Sequence, residues 1–149
     1  MTFSMQIMAR EIAQAISLCA QVVEANSKIP ILKCTRIEIA GGMASFMATN
    51  VDQTVVAKAA CDGEGVALID TQALDAKMRT LKPDAMVSFK DDGKSVVITQ
   101  GRTRWVAPVM IDDFPIPPEI DVPPVHVNDD FIRGIEQCLP AAEAAGSPR

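Results

Sequence analysis

The chain has 149 residues, of which 48% are hydrophobic and 22% charged, as is usual for one globular domain. Fourteen basic and nineteen acidic residues give a net charge of −5, which argues against a protein that grips nucleic-acid phosphates tightly. No apolar run approaches the roughly 20 residues that span a bilayer, and the N-terminus lacks the pattern of a secretory signal. A cytoplasmic protein without membrane contact is therefore predicted.

The first part of the chain predicts one helix between short strands. Residues 5–7 alternate as a strand, and residues 9–24 carry apolar side chains at helical spacing, namely Ile12, Ile16, Cys19 and Val23. Residues 35–40 and 43–49 alternate with a period of two around Gly41-Gly42, which predicts a β-hairpin. Residues 53–61 predict another strand, which ends at Asp62-Gly63.

The middle of the chain repeats this pattern. Residues 66–69 predict a strand, Asp70-Thr71 suit a helix N-cap, and a helical stripe follows until Pro83 ends it. The stripe consists of Leu74, Met78 and Leu81. Residues 87–90 and 95–100 flank the turn-forming residues 91–94, which predicts a second hairpin. Residues 101–110 continue as a strand, and Pro108 indicates an edge or a bulge.

These elements predict an α+β domain over residues 1–112, with amphipathic helices on one face of a mostly antiparallel sheet. Residues 113–124 contain five of the ten prolines and predict a stiff linker. Residues 125–149 predict one strand and one capped helix that have no sheet of their own, so they are expected to open a second, truncated domain. The strand–cap–helix unit recurs three times, which suggests an architecture built from internal repeats.

Little in the sequence indicates catalysis. The acidic pairs at residues 91–92, 112–113 and 129–130 lie at a predicted turn, linker and cap, where aspartate is favoured for local backbone reasons. His126 is the single histidine, and no nucleophile elbow, phosphate-binding loop or dinucleotide motif accompanies it. The four cysteines lack zinc-site spacing and are expected to behave as small hydrophobes. No metal and no cofactor is predicted.

Four segments, in order, resemble the bacterial sliding clamp family, the β subunit of DNA polymerase III. IPIL at residues 29–32 resembles a strand after the first helix, and ATNVD at 48–52 resembles a turn. GRTRW at 101–105 resembles a strand, and DFP at 113–115, followed by further prolines, resembles the interdomain linker. The match covers the first of the three domains of the family and the opening strand and helix of the second.

The resemblance implies a DNA-clamp fold and a non-catalytic processivity factor of bacterial DNA replication. Two subunits would pair head to tail into a ring, with sheets outside and helices lining the hole. The ring would encircle duplex DNA without reading its sequence and tether the replicative DNA polymerase, and an ATP-driven clamp loader would open it. A net charge of −5 is compatible with this function, because a closed ring needs little affinity to stay on DNA.

Polar helix faces opposite the apolar stripes are the candidates for DNA contact. The predicted DNA-facing residues are Arg10, Gln14, Gln21, Asn26, Lys28, Gln72 and Arg79. Arg79 is the preferred candidate among them. Ala25 and Asn26 stand where the family usually has arginines, so the loop after the first helix departs from the family pattern and keeps only Lys28 as a basic residue. The alternative interpretation is an ordinary solvated helix face.

Arg102, Arg104 and Trp105 match residues that lie at the subunit interface in the family. Alternation along a strand would place the two arginines on one face and Trp105 on the other. An arginine and aromatic cluster on an edge strand suits an interface hot spot. A core tryptophan flanked by surface arginines is the other interpretation.

Two further functions remain open. One is a stand-alone clamp-like interaction module that binds a replication protein through its exposed edge strand without forming a ring. The other is a small enzyme with an unrecognised site. Ring assembly would separate the clamp from the interaction module, and turnover of a substrate would be required for the enzyme.

Overall fold

The computed structural model describes residues 2–142. The chain divides into two compact units, Met1–Pro117 and Pro118–Arg149. The first unit contains β1 (Ser4–Met8), α1 (Ala9–Val22), β2 (Cys34–Ala40), β3 (Met43–Thr49), β4 (Thr54–Ala60), β5 (Asp62–Asp70), α2 (Thr71–Met78), β6 (Met86–Asp91), β7 (Ser95–Gln100) and β8 (Thr103–Pro108). A short 3-10 helix, Pro30–Lys33, lies between α1 and β2.

The eight strands of the first unit form one antiparallel sheet in the order β4-β3-β2-β5-β1-β6-β7-β8. The chain passes twice through the same succession, β1-α1-β2-β3-β4 and then β5-α2-β6-β7-β8. Exchanging the two passages gives the same order read from the opposite edge of the sheet, with β5 and β1 at the centre. The predicted α+β class is confirmed, and the internal repeat of this unit is a pair of βαβββ passages.

Both helices pack on one face of the sheet, where the main core lies. Ile12 and Ile16 of α1 and Leu74 of α2 are fully buried with Ile37 and Phe46 of the sheet. Alternate residues of each strand point to the two faces, and the helix-facing side of β2 and β3 is apolar apart from the buried Thr35. Burial of a large apolar side chain contributes roughly 1.5–3 kcal/mol, so these contacts dominate the stability of the sheet–helix arrangement.

The opposite face of the sheet carries a smaller apolar cluster. Leu68 of β5 packs there with Leu32 of the 3-10 helix and with Phe114, which is only 9% exposed. Phe114 belongs to the DFP motif and lies in the first unit. The chain between β8 and the next helix has no regular secondary structure apart from a bridge between Ile69 and Val109.

The glycines of β5 form the seam where the two passages meet. β5 pairs with β1 through Asp62, Gly63 and Glu64, and the rest of β5 pairs with β2. Gly63 has φ +137°, and a Cβ on it would lie 2.0 Å from the carbonyl oxygen of Ser4. β4 ends at Ala60, just before Asp62-Gly63, so the predicted end of this strand is confirmed. The Asp-Gly pair opens β5, because only a residue without a side chain permits this close approach of two backbones.

The start of α1 differs from the recurring unit in which a polar cap precedes each helix. Its N-cap is Met8, which makes no side-chain cap hydrogen bond. The amides of Ala9 and Arg10 donate instead to the carbonyls of Ala85 and Pro83, at 3.0 Å each. These backbone groups satisfy the first donors of the helix, so no polar side chain is needed.

Three further boundaries differ from the sequence prediction. IPIL forms the 3-10 helix and not a strand, because Pro30 suits the first turn and the amide of Leu32 donates to the carbonyl of Ile29. α2 ends at Met78, so Leu81 is buried outside the helix and Pro83 does not end it. Gly101, with φ +58°, forms the hairpin turn before β8.

The second unit contains α3 (Asp129–Cys138) and a 3-10 turn, Leu139–Ala141. The side chain of Asn128 accepts a hydrogen bond from the amide of Phe131 at 2.9 Å, which confirms the predicted cap. None of the side chains of α3 is buried. The predicted strand over residues 125–127 is wrong, since these residues make no ladder in the described chain. The prediction for residues 143–149 lies outside the described residues.

The buried cysteines should react more slowly with thiol reagents than the exposed Cys138. Burial raises the pKa of both Cys19 and Cys34 to about 11, whereas Cys138 is exposed on α3. The thiolate is the reactive species, so in a disulfide-exchange reagent at neutral pH Cys138 should react at least about tenfold faster than the buried thiols. Mass spectrometry of the labelled peptides tests this order. Equal labelling of Cys19 and Cys138 would contradict the buried position of Cys19.

The same pKa shifts make the free energy of unfolding depend on pH. Unfolding returns the pKa of both thiols from about 11 towards the ordinary value of 9.0, so the unfolded chain releases these protons first as the pH rises. The contribution of the two groups is fully present below pH 9.0 and is lost as the pH rises towards about 11.

Candidate nucleic-acid interface

The outward faces of α1 and α2 meet along a shallow groove. Gln21 of α1, Gln72 of α2 and Arg79 at the C-terminal end of α2 line it together with Ser17 and Asp75. All three of the predicted DNA-facing residues in this set are exposed. The helix periodicity that placed apolar side chains in the core therefore also gathers these polar groups on one surface.

The remaining predicted DNA-facing residues surround this groove. Gln14 lines an adjoining hollow together with Leu18, Asp75 and Arg79. Arg10 lies in the first turn of α1, while Asn26 and Lys28 are exposed in the loop after α1. The candidates thus occupy the groove and both ends of α1.

Two hydrogen bonds position α2. The side chain of Asp70 caps the helix by accepting from the amide of Ala73 at 2.8 Å. Thr71, at the first helical position, shares a hydrogen bond of 2.9 Å between its hydroxyl oxygen and that of Thr35 on β2, and both side chains are fully buried. The helix is therefore held at its N-terminus, and Arg79 forms its C-cap.

Arg79 is held by an acidic residue one turn earlier. Its Nη2 and Nε donate to Oδ2 of Asp75, at 2.9 and 3.1 Å. The Asp75 side chain is only 14% exposed, against 69% for Arg79, and Asp75 Oδ1 is buried without a hydrogen-bond partner among the described residues. Asp75 was not among the predicted site residues, although an acid four residues before a base on a helix is a recognisable pairing signal.

Arg10 also has an acidic neighbour. Its Nη1 lies 3.4 Å from Oδ1 of Asp84, and both side chains are largely exposed. This pair joins residues far apart in sequence, so no local pattern could have predicted it. Both arginines of the predicted DNA-facing set therefore face a carboxylate, and the surface presents mainly neutral amides.

The edge strand β8 carries the other candidate cluster. Arg104 is exposed, whereas Trp105 is half-buried, packs against the main core and lies opposite Ile98 of β7. Arg102 lies in the turn before β8, so the prediction that it shares a strand face with Arg104 is wrong. Gly101 closes this hairpin and displaces Arg102 from the ladder. The position of β8 at the sheet edge is as predicted.

The acidic pairs act locally in the described chain. Asp92 Oδ1 accepts from the amides of Lys94 and Ser95, and these hydrogen bonds lower the pKa of Asp92. Asp91 Oδ1 accepts from the amide of Gly93. Residues 2–142 contain no group of three or more potential metal-ligating histidine, cysteine or acidic side chains. No helix among them is long and apolar enough to cross a membrane.

An eight-stranded antiparallel sheet traced by two βαβββ passages, with both helices on one face, is the DNA-clamp fold. No family model matches the chain. The chain is, however, 32% identical over 114 residues to the beta sliding clamp of Caulobacter vibrioides, in strain NA1000 / CB15N and in strain ATCC 19089. This alignment covers 69% of the chain and 29% of the relative.

Solved structures give the same relationship. The chain superimposes on a crystal structure of the beta sliding clamp of C. crescentus with a TM-score of 0.77, 26% identity, and coverage of 81% of this chain and 33% of that one. A Caulobacter crescentus pol III beta structure gives a TM-score of 0.73 at 29% identity, over 79% and 32%. A sliding clamp from Bartonella birtlesii, at 19% identity and a TM-score of 0.75, shows the fold alone.

The recognition made from the motifs is thus confirmed: the first unit is a domain of the DNA polymerase III β-clamp type. The chain spans about a third of the length of the relatives and structures that it matches.

Proposed function

We propose that the chain is part of a non-catalytic processivity factor of bacterial DNA replication, a ring that encircles duplex DNA and tethers the replicative polymerase. The observation that carries this proposal is the chemical character of the surface formed by α1 and α2. Its outward face combines neutral amides with arginines that face carboxylates, on a domain of the β-clamp type. Such a surface suits a wall along which DNA slides, since firm phosphate contacts would slow movement.

Within this proposal, each predicted site residue faces either the DNA or the neighbouring subunit. Gln14, Gln21, Gln72 and Arg79 face the DNA from the groove, and Arg10, Asn26 and Lys28 face it from the ends of α1. Arg104 and Trp105 on β8 lie at the subunit interface of a head-to-tail homodimer, with Arg102 in the adjoining turn. The exposed guanidinium and the half-buried indole lie on an edge that no other strand of residues 2–142 pairs with, which suits such a contact.

The partners follow from encirclement. Duplex DNA is bound independently of sequence, a clamp loader opens the ring, and the polymerase binds the assembled ring. The protein acts in the cytoplasm, uses no cofactor and has no active site of its own.

Retention on circular DNA is the experiment that tests encirclement. The purified protein is incubated with nicked circular plasmid, a bacterial clamp loader and ATP, and gel filtration separates the bound from the free protein. The bound fraction should survive on the circle and fall by at least about tenfold after a restriction enzyme linearises the plasmid, because a ring slides off free ends. Equal retention on circle and linear DNA would contradict encirclement.

The edge-strand assignment has its own test in the same assay. Arg104→Glu should shorten the residence time on the nicked circle by about tenfold or more, because it reverses a charge at the proposed subunit interface. Lys90→Glu is the matched control, since Lys90 is exposed on β6, an inner strand of the sheet. Equal effects of the two charge reversals would argue against β8 as the interface.

A stand-alone interaction module is the second candidate function, and the free edge of β8 in the described chain favours it. This module would bind a replication protein by strand addition and would not distinguish circular from linear DNA. The retention assay therefore separates the two candidates.

A further inference from the structure

We propose that Asp75 is a positioning residue for Arg79: it holds the guanidinium against α2 and thereby keeps the helix layer from gripping DNA phosphates. This inference rests on the proposed function, because it takes the α1–α2 groove as the DNA-facing surface. It assigns a role to Asp75, which is not one of the predicted DNA-facing residues. It also explains weak contact between this surface and DNA phosphates by the structure of the surface itself.

The geometry of the pair supports this role. Both Nε and Nη2 of Arg79 donate to the same oxygen, Asp75 Oδ2, at 3.1 and 2.9 Å. The two residues are one helical turn apart, so a rigid backbone sets the separation. The guanidinium is therefore directed along the helix and towards the floor of the groove.

The burial of Asp75 makes the pair persistent. Exposed ion pairs usually contribute little, because water and salt compete with both partners. Asp75, however, is 14% exposed, and its Oδ1 is buried without a partner among the described residues. Departure of Arg79 would leave a largely buried carboxylate without its cation, which is strongly unfavourable. The Arg10–Asp84 pair has no such constraint, since its side chains are 53% and 83% exposed.

The electrostatic consequence is a pair without net charge where a DNA contact would otherwise form. A free arginine on this surface would neutralise a phosphate and release a counterion. With Asp75 in place, that release does not occur. The amides of Gln14, Gln21 and Gln72 remain as weak hydrogen-bonding groups, and the surface stays compatible with sliding.

The test measures binding of the 149-residue protein to a short linear duplex with open ends over a series of salt concentrations. Asp75→Asn should steepen the slope of log K against log salt by about 0.9, which corresponds to one additional phosphate contact. Asp75→Asn should therefore bind more tightly than the natural protein, and the ratio of their two binding constants should fall by about 3.5-fold as the salt rises from about 50 to about 200 mM. Asp75→Glu, which keeps the carboxylate, should retain a shallow slope.

A double-mutant cycle shows whether Asp75 acts through Arg79. Arg79→Gln alone should leave the slope unchanged, because Arg79 makes no phosphate contact in the natural protein. Asp75→Asn combined with Arg79→Gln should lose the steepening. Glu38→Gln is the matched control: it removes one acidic charge paired with Arg36 on the opposite face of the sheet, so its slope should not change.

Two results would overturn the inference. A slope that falls by about 0.9 in folded Arg79→Gln protein would mean that Arg79 already contacts a phosphate. A folded Asp75→Asn protein with an unchanged slope would be equally decisive. Because the duplex has open ends, neither result depends on ring closure, so failure of this inference and failure of encirclement are distinguishable.

Discussion

Replacing Gly63 with alanine is expected to lower the free energy of unfolding of the first unit by about 3–5 kcal/mol. Gly63 has φ +137°, and its Cβ would meet three backbone atoms of β1, the nearest being the carbonyl oxygen of Ser4 at 2.0 Å. Backbone atoms cannot rotate away as a flexible side chain would. The β5–β1 seam must therefore open, which separates the two βαβββ passages. Chemical denaturation followed by circular dichroism measures the loss.

Gly41→Ala is the matched control for this prediction. Gly41 also has a positive φ, +59°, but a Cβ on it would meet nothing within 4 Å. Only the cost of the left-handed conformation remains, about 1–2 kcal/mol. Equal losses for the two alanine substitutions would contradict the close approach at the seam.

Thr35→Val is expected to cost about 1–3 kcal/mol, because it leaves the fully buried hydroxyl of Thr71 without its partner. Valine has nearly the same shape as threonine, so little packing is lost. Thr35→Val combined with Thr71→Val should recover most of the stability, since both polar groups are then removed together. A double-mutant cycle in urea measures the coupling between them.

Thr103→Val supplies the control for that cycle. Thr103 is exposed at the start of β8, so its substitution should change the free energy of unfolding by less than about 0.5 kcal/mol. Additive losses for the two buried threonines would indicate that their hydroxyls do not depend on each other.

Local signals were sufficient wherever one element and its neighbours determine the structure. The hairpin at Gly41-Gly42 and the cap at Asp70 follow from a few adjacent residues, and both are present. Helical spacing was equally sufficient to place Gln21 and Gln72 on the surface away from the core. These features needed no knowledge of distant contacts.

Features that depend on distant partners could not be predicted in this way. The Asp62-Gly63 pair has the local signature of a turn, and only the approach of β1 shows that it is a sheet seam. The first donors of α1 are satisfied by Pro83 and Ala85, which no sequence pattern near α1 reveals. Asp75 is different, because its spacing to Arg79 was visible but its burial was not.

The two helices of the repeated passages differ in length, and this difference affects the part of the sheet that contains β8. α1 has 14 residues and α2 has 8, so at 1.5 Å per residue they extend about 21 Å and about 12 Å. α1 packs against β3 and β4, whereas α2 packs mainly against α1 and β5. The passage that ends in β8 therefore contributes the shorter helix to the face of the sheet. Trp105, the single tryptophan, lies in this half of the sheet, where it packs against the main core and stays partly exposed.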